Sequence, residues 1–237
     1  MSQMIYEGKA KRVWSTADSE QIRVEFKNSL TAFNAQKKGE FEGKGAINCE
    51  ITALIFDYLR FHGIESHLLQ KLSSNELLCQ KLSMIPLEVV VRNVLAGSTA
   101  KKFGLPEGKP LPRPLLELFY KDDALQDPFV NVEQVVILGY ATEDDVQKVS
   151  KLAIEVNALL VSLFAKIGIQ LVDFKLEFGR TKDGQVVLAD EITPDGCRLW
   201  DKTTNEKLDK DRFRRDLGKI EESYVDVLNR LKKELSK

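Results

Sequence analysis

Residues 172–179 constrain the fold most. Val172, Phe174, Leu176 and Phe178 alternate with Asp173, Lys175 and Glu177, so one face of an extended chain is apolar and the other carries three charges. Such a strand lies on a core with one side and holds its charges on the other. Asp183-Gly184 follows, a pair favoured in two-residue type I′ hairpin turns. With those two residues as the loop, Lys182 faces Gln185 and Glu177 lies directly opposite Asp190, Cβ atoms about 5 Å apart. A three-residue loop would break this register. Like charges at that spacing repel unless a cation lies between them. Paired oxygen ligands suit Mg²⁺, which often takes one or two protein carboxylates plus substrate phosphates. Neutralising one carboxylate is then expected to leave the apo-protein as stable or more so. The charged face reads as the polar floor of an active site; the alternative is a solvated sheet face with ordinary cross-strand pairs.

Around this hairpin the chain falls into blocks. Residues 5–14 and 22–26 read as β-structure, with turn formers at 16–19. Ile47, Ile51, Leu54, Ile55, Tyr58 and Leu59 recur at helical spacing and predict a helix over 43–62, stopped by Gly63. Strands are expected at 67–72, 77–84 and 87–95, with Pro86 marking a boundary. Residues 104–114, rich in proline and glycine, read as a long ordered loop. Thr142 is the expected N-cap of a helix over 143–166. Strands at 170–179 and 185–192 and charged helices at 209–217 and 219–235 complete the pattern. The class is α+β. With 237 residues the chain is one large domain or two tightly joined ones.

Lysine plus arginine is 35 and aspartate plus glutamate 36, so no global field draws the protein to nucleic acid or an anionic membrane. The apolar runs are far shorter than the ~20 residues of a spanning helix. Charges at Glu7, Lys9, Lys11 and Arg12 interrupt any apolar leader. A cytoplasmic protein is expected. Cys49, Cys79 and Cys197 have no metal-ligand spacing and read as buried free thiols. His62 and His67 are the only histidines, which leaves the chemistry to carboxylates, lysines and arginines.

Three further segments fit that chemistry. In Gly8-Lys9-Ala10-Lys11 the glycine permits close backbone approach, and Lys9 and Lys11 on one strand face can cover phosphates; a lysine-rich edge strand is the alternative. Arg92 lies in an otherwise apolar strand that runs into Ala96-Gly97-Ser98. Its fork suits phosphate or carboxylate, or an internal salt bridge. Residues 194–201, Pro-Asp-Gly-Cys-Arg-Leu-Trp-Asp, bring Arg198 beside the proposed metal site. Residues 209–215 add Lys210, Arg212, Arg214 and Arg215, by themselves a solvated charge run. Oxygen ligands, lysines and arginines without a histidine or cysteine nucleophile point to phosphoryl transfer from a nucleotide.

Together these segments resemble the SAICAR synthase family of purine biosynthesis, with Lys121 before Asp122 and Asp127-Pro128 also matching, over nearly the whole chain. The resemblance implies an ATP-dependent ligase that joins L-aspartate to the carboxylate of a phosphoribosyl aminoimidazole, releasing ADP and phosphate. It implies a fold akin to ATP-grasp and kinase folds, with residues 1–84 as a smaller β-rich lobe over the nucleotide and 85–237 as a larger lobe with the metal and substrate sites. Lys9, Lys11 and Lys121 would contact the nucleotide, and the crossover at Leu82 and Met84 the adenine. Glu177 and Asp190 would bind Mg²⁺. Arg92, Ser98, Arg198 and, more weakly, Arg214 would bind the ribose phosphate, and Asp173 and Lys175 would act at the imidazole end. Asn34 stands where some members carry an aspartate and is left out of the catalytic set. The residues at 104–114 and 194–201 would close over the reactants. A homodimer is expected by analogy. A small-molecule kinase on a related fold is the runner-up, and it would turn over without an amine.

Overall fold

The computed structural model describes residues 3–32 and 36–236; Asn34 lies outside them. The first sheet is antiparallel, ordered β1-β2-β3-β7-β6: β1 (Met4–Glu7), β2 (Lys11–Ser15), β3 (Gln21–Phe26), β7 (Glu76–Gln80) and β6 (Leu68–Lys71). The expected strand over 5–14 is a hairpin instead. Gly8 N–H donates to Lys11 O (2.8 Å), so Lys9 sits in the turn and Lys11 opens β2. The two lysines therefore do not share a strand face. A short ribbon, β4 (Ser29–Ala32) with β5 (Lys37–Glu40), leads into α1 (Lys44–Phe61). The apolar stripe of α1 buries Ile51, Ile55, Phe56 and Leu59, and the helix ends at His62 with Gly63 at φ +86°.

The chain crosses to the second sheet at Lys81–Leu82, because β8 (Ser83–Met84) already pairs with a strand of that sheet. The sheet is ordered β11-β10-β9-β12-β13: β11 (Phe129–Val130), β10 (Pro110–Tyr120), β9 (Leu87–Val94), β12 (Ile169–Arg180) and β13 (Val186–Ala189), with β14 (Cys197–Asp201) and β8 also on β12. The proline-rich stretch is thus a loop only to Lys109. Pro110 already pairs with Val94, and the irregularity between Pro110 and Leu115 absorbs the missing donors of Pro112 and Pro114. Likewise 197–201 is a buried strand rather than a closing loop.

Helix α2 (Gly97–Lys102) follows β9, and α3 (Val132–Ile137) follows β11. Helix α4 (Glu143–Lys166) begins at Thr142 with a reciprocal capping box to Asp145 and lays Val149, Ala153, Val156 and Leu160 on the sheet. The charged C-terminal run gives a single turn, α5 (Asp211–Arg214), before α6 (Ile220–Leu235). One hydrophobic core joins residues of both large sheets, from Val24 and Leu77 to Leu176 and Phe178. All three cysteines are free and buried within it or at its edge. Among the described residues no helix is long and apolar enough to cross a membrane.

Candidate active site

Strand β12 is the spine of the site. Its alternation slips once, at a bulge between Leu171 and Asp173 opposite β14. Leu171, Phe174, Leu176 and Phe178 face the main core, whereas Val172 packs apart with Trp200. Asp173, Lys175 and Glu177 keep one common face, but that face is covered: Asp173 is 3% exposed and Glu177 2%. It is a polar floor, not a solvated sheet face.

The hairpin after β12 differs from the expected one. Thr181 N–H donates to Gln185 O (2.9 Å), Thr181 Oγ1 accepts from Gln185 N–H (3.0 Å), and Gly184 at φ +84° makes the last turn residue. The loop has three residues, 182–184, and Glu177 lies opposite Ala189, not Asp190. Asp190 falls one residue past the strand at φ +62°. That left-handed turn brings its carboxylate back toward the same floor. Lys175 Nζ then joins Glu177 (2.5 Å) and Asp190 (2.9 Å), with Glu88 at 3.6 Å. Lys11 Nζ donates to Asp190 and lies 3.4 Å from Glu191, and Lys121 Nζ donates to Glu177. Carboxylates and ammoniums thus alternate. Burial alone would push Lys175 down, but Asp190, Glu177 and Glu88 outweigh it and hold the ammonium well above its ordinary value. Burial would raise Asp190, yet Lys11 and Lys175 hold its carboxyl well below the usual range.

His67 is a residue the sequence reading passed over. Burial, then the Lys11 charge, lowers its pKa to about 4, so it is neutral at pH 7. Its Nε2 lies 3.2 Å from the Asp190 carbonyl, which can only accept, so Nε2 carries the hydrogen and steadies the left-handed turn. Glu88 was also missed. It interrupts apolar β9 as Arg92 does, and that same signal was available for it.

Above the floor a cavity of about 460 Å³ opens under the first hairpin. Val13, Ile22, Val24, Leu82 and Met84 line one part, and Lys11, Lys121, Lys175, Glu177 and Asp190 another. Lys9 reaches over its rim to Asp123 (2.7 Å).

A second cluster surrounds Asp173. Arg92 donates to Asp173 (2.5 Å), Glu117 (2.5 Å) and Ser98 Oγ (3.2 Å). Arg198 donates to Asp173 (3.0 Å) and Asp211 (3.0 Å), and Arg214 to Asp211 (2.6 Å). The structure therefore brings Arg92, Ser98, Arg198 and Arg214 together, but Arg92 is 3% exposed and offers no free fork. Gly97, at φ +61°, lies against Arg198: a Cβ there would sit 2.5 Å from Nη2. Gly97→Ala should displace the Arg198 guanidinium and strain the backbone. A loss of about 2 kcal/mol in unfolding free energy, read by urea titration, is expected.

A cleft with an apolar part, a charged part and a neighbouring arginine cluster defines the class: an enzyme acting on small molecules. The family model of SAICAR synthetase matches residues 4–231. The phosphoribosylaminoimidazole-succinocarboxamide synthase of Deinococcus radiodurans is 52% identical over 233 residues, 98% of each chain. The crystal structure of that synthase from Ehrlichia chaffeensis superposes with a TM-score of 0.94 at 40% identity, covering 97% of this chain and 98% of its own. A SAICAR synthetase (Type-2) solved in complex with ADP gives 0.92 at 47% identity, covering 95% and 96%. The chain belongs to the SAICAR synthetase family, ligases of purine biosynthesis.

Proposed function

We propose that the cleft under the first hairpin is the ATP site of this ligase and that Glu177 and Asp190 hold Mg²⁺ there. The observation that carries the reading is the division of one cavity into an apolar part, where Leu82 and Met84 meet an adenine, and a lysine-rich part for the phosphates. Lys9, Lys11 and Lys121 are assigned to the nucleotide. The relative solved with ADP supports nucleotide use. Residues 1–84 then cover the nucleotide, and 85–237 carry the metal and the substrates.

The donor set suits Mg²⁺. It consists of hard carboxylate oxygens, and Glu191 Oε2 beside them is buried without a hydrogen-bond partner. Among the described residues no three of His, Cys, Asp and Glu form a closed cage. Mg²⁺ does not require one, since water and phosphate oxygens complete its shell. When bound it would neutralise charge on the transferring phosphoryl group.

The family's reaction joins L-aspartate to 5-amino-1-(5-phosphoribosyl)imidazole-4-carboxylate. A carboxylate resists amine attack because oxide leaves poorly. Transfer of the γ-phosphoryl group to the carboxylate supplies a better leaving group; the amine then forms the amide, and phosphate departs with the bond it breaks. Lys11 and Lys175 balance charge along that path. Arg198, Ser98 and Arg214 hold the ribose phosphate. Asp173 and the buried Arg92 orient Arg198 and Ser98 from beneath. We infer a cytoplasmic homodimer; Phe103 and Phe129, exposed on either side of Lys102, offer apolar surface for a second copy.

Coupled ADP release, with each substrate omitted in turn, tests the reading. Turnover should need ATP, Mg²⁺, the imidazole ribotide and L-aspartate together. Sustained release at an equal rate without any amine would reject the ligase and favour a kinase.

A further inference from the structure

The polar face of β12 reads Asp173, Lys175, Glu177 and then Gly179, so the charged floor ends on a glycine. Glycine inside a strand is costly unless a bulge, a special φ or a close neighbour requires it. Pairing of β12 with β13 runs regularly from Glu177 to Arg180, so no bulge accounts for it. Nor is Gly179 among the glycines with positive φ. What the position requires is room. A Cβ on Gly179 would lie 2.7 Å from Leu82 Cβ, 3.0 Å from Leu82 Cδ1 and 3.2 Å from Met84 Sδ. Carbon atoms pack at about 3.5–4.0 Å. The two far atoms end flexible side chains and could yield, but Leu82 Cβ is fixed to its backbone, so the crossover itself would have to move.

The residues that this room admits are those of the apolar part of the cleft. Met84 pairs directly with Gly179, and Ile85 N–H donates to Phe178 O (2.9 Å), which ties the crossover to β12 at that point. Leu82, two residues before Met84, lies on the same face and lays its side chain over Gly179. Both line the cavity together with Val13, Ile22 and Val24 of the first sheet. Lys175 and Glu177, earlier on the same face of β12, line its charged part. The floor thus changes from charge to bare backbone within two residues, where the cavity changes from polar to apolar.

We propose that Gly179 sizes the seat of the nucleobase. It is a positioning residue: it lets the crossover sink onto β12, and a side chain there would push Leu82 and Met84 into the space that a flat base occupies. This rests on the ATP-site reading and adds to it the position that governs the base half of the ligand alone. The phosphate half, held by lysines from other segments, does not depend on it.

Steady-state kinetics of Gly179→Ala with two partial ligands separates the halves. Adenosine carries the base without the phosphates, and inorganic tripolyphosphate the phosphates without the base. In Gly179→Ala the KM for ATP and the inhibition constant of adenosine should rise together about 30-fold, the scale of one methyl group forced into a filled site. Inhibition by tripolyphosphate and the KM for the imidazole ribotide and L-aspartate should stay within about twofold, which a loosened fold would not permit. Unchanged adenosine inhibition in Gly179→Ala, or an equal loss of tripolyphosphate, would overturn the assignment. If Gly179→Ala does not fold, combining it with Leu82→Gly returns the room from the other strand. That pair should fold and keep tripolyphosphate inhibition; a pair that stays unfolded overturns the assignment too. Val13→Glu tests the site itself, since it puts a charge into the same apolar part from the first sheet and should weaken adenosine whatever stands at 179. Adenosine indifferent to both variants would reject the cleft as the ATP site, whereas a loss in Val13→Glu alone rejects only the role of Gly179.

Discussion

Asp190→Asn is expected to lower kcat about a thousandfold at saturating Mg²⁺, and also to destabilise the apo-protein. The kinetic loss follows from removing one of two proposed metal carboxylates and the anion that fixes Lys11 and Lys175, a set that acts as a unit. The stability change has the opposite sign to that expected from two facing carboxylates. Lys175 bridges Glu177 and Asp190, and Lys11 also donates to Asp190. The neutral amide would leave two buried ammoniums facing each other, at a cost of about 3 kcal/mol. For a chain of this size that lowers Tm by about 6–12 °C. The pH dependence identifies the cause. The Asp190 carboxyl is held well below its ordinary value, so its contribution is fully present above the ordinary carboxylate range and fades as pH falls. The gap between wild type and variant should therefore be constant near pH 7 and narrow below about pH 4. Thermal denaturation across that range reads it, and a variant as stable as wild type at pH 7 would reject the bridging role of the carboxylate.

The same residue shows what the sequence could and could not disclose. Alternation from Phe174 to Phe178 gave the charged floor, and Thr142 with three acids gave the start of α4 to the residue. Asp183-Gly184 marked a turn but not its length. Gly184 supplies a left-handed residue to two-residue and three-residue loops alike, and Thr181, bonding across to Gln185, selects the longer one. Such a slip would normally send Asp190 to the other face. Its positive φ undoes the slip, and no local pattern announces a left-handed aspartate held by a histidine from the distant segment before β6. The two shifts cancel, so Glu177 and Asp190 meet on one floor, bridged by Lys175, although they are not cross-strand partners. The lysines between the carboxylates come from three separate segments. Their convergence is a property of the sheet order, not of any one motif.

Arg92 and Arg198 look alike in sequence and should differ sharply when replaced. Arg92 is clasped by Glu117 and Asp173, both nearly buried, and supports Ser98. Lysine there keeps the charge but can neither span both carboxylates in one plane nor reach Ser98. Arg92→Lys should cost about 3 kcal/mol of stability, since it leaves part of a buried carboxylate pair unmatched. Its effect on ligand affinity should follow from lost order at Ser98 and stay near tenfold. Arg198 is the less enclosed of the two, its side chain 17% exposed against 4%. It stands on β14 between Asp173 and Asp211, with Gly97 clearing room for its guanidinium. Arg198→Met should therefore weaken the imidazole ribotide several hundredfold, the scale of removing a charged partner from a desolvated phosphate, while ATP affinity holds within about twofold. Calorimetry with each ligand, beside urea denaturation of both variants, separates the roles. If Arg92→Lys proved as stable as wild type yet lost the ribotide as severely as Arg198→Met, Arg92 would itself be a phosphate ligand, and its burial between two carboxylates would have to open on binding.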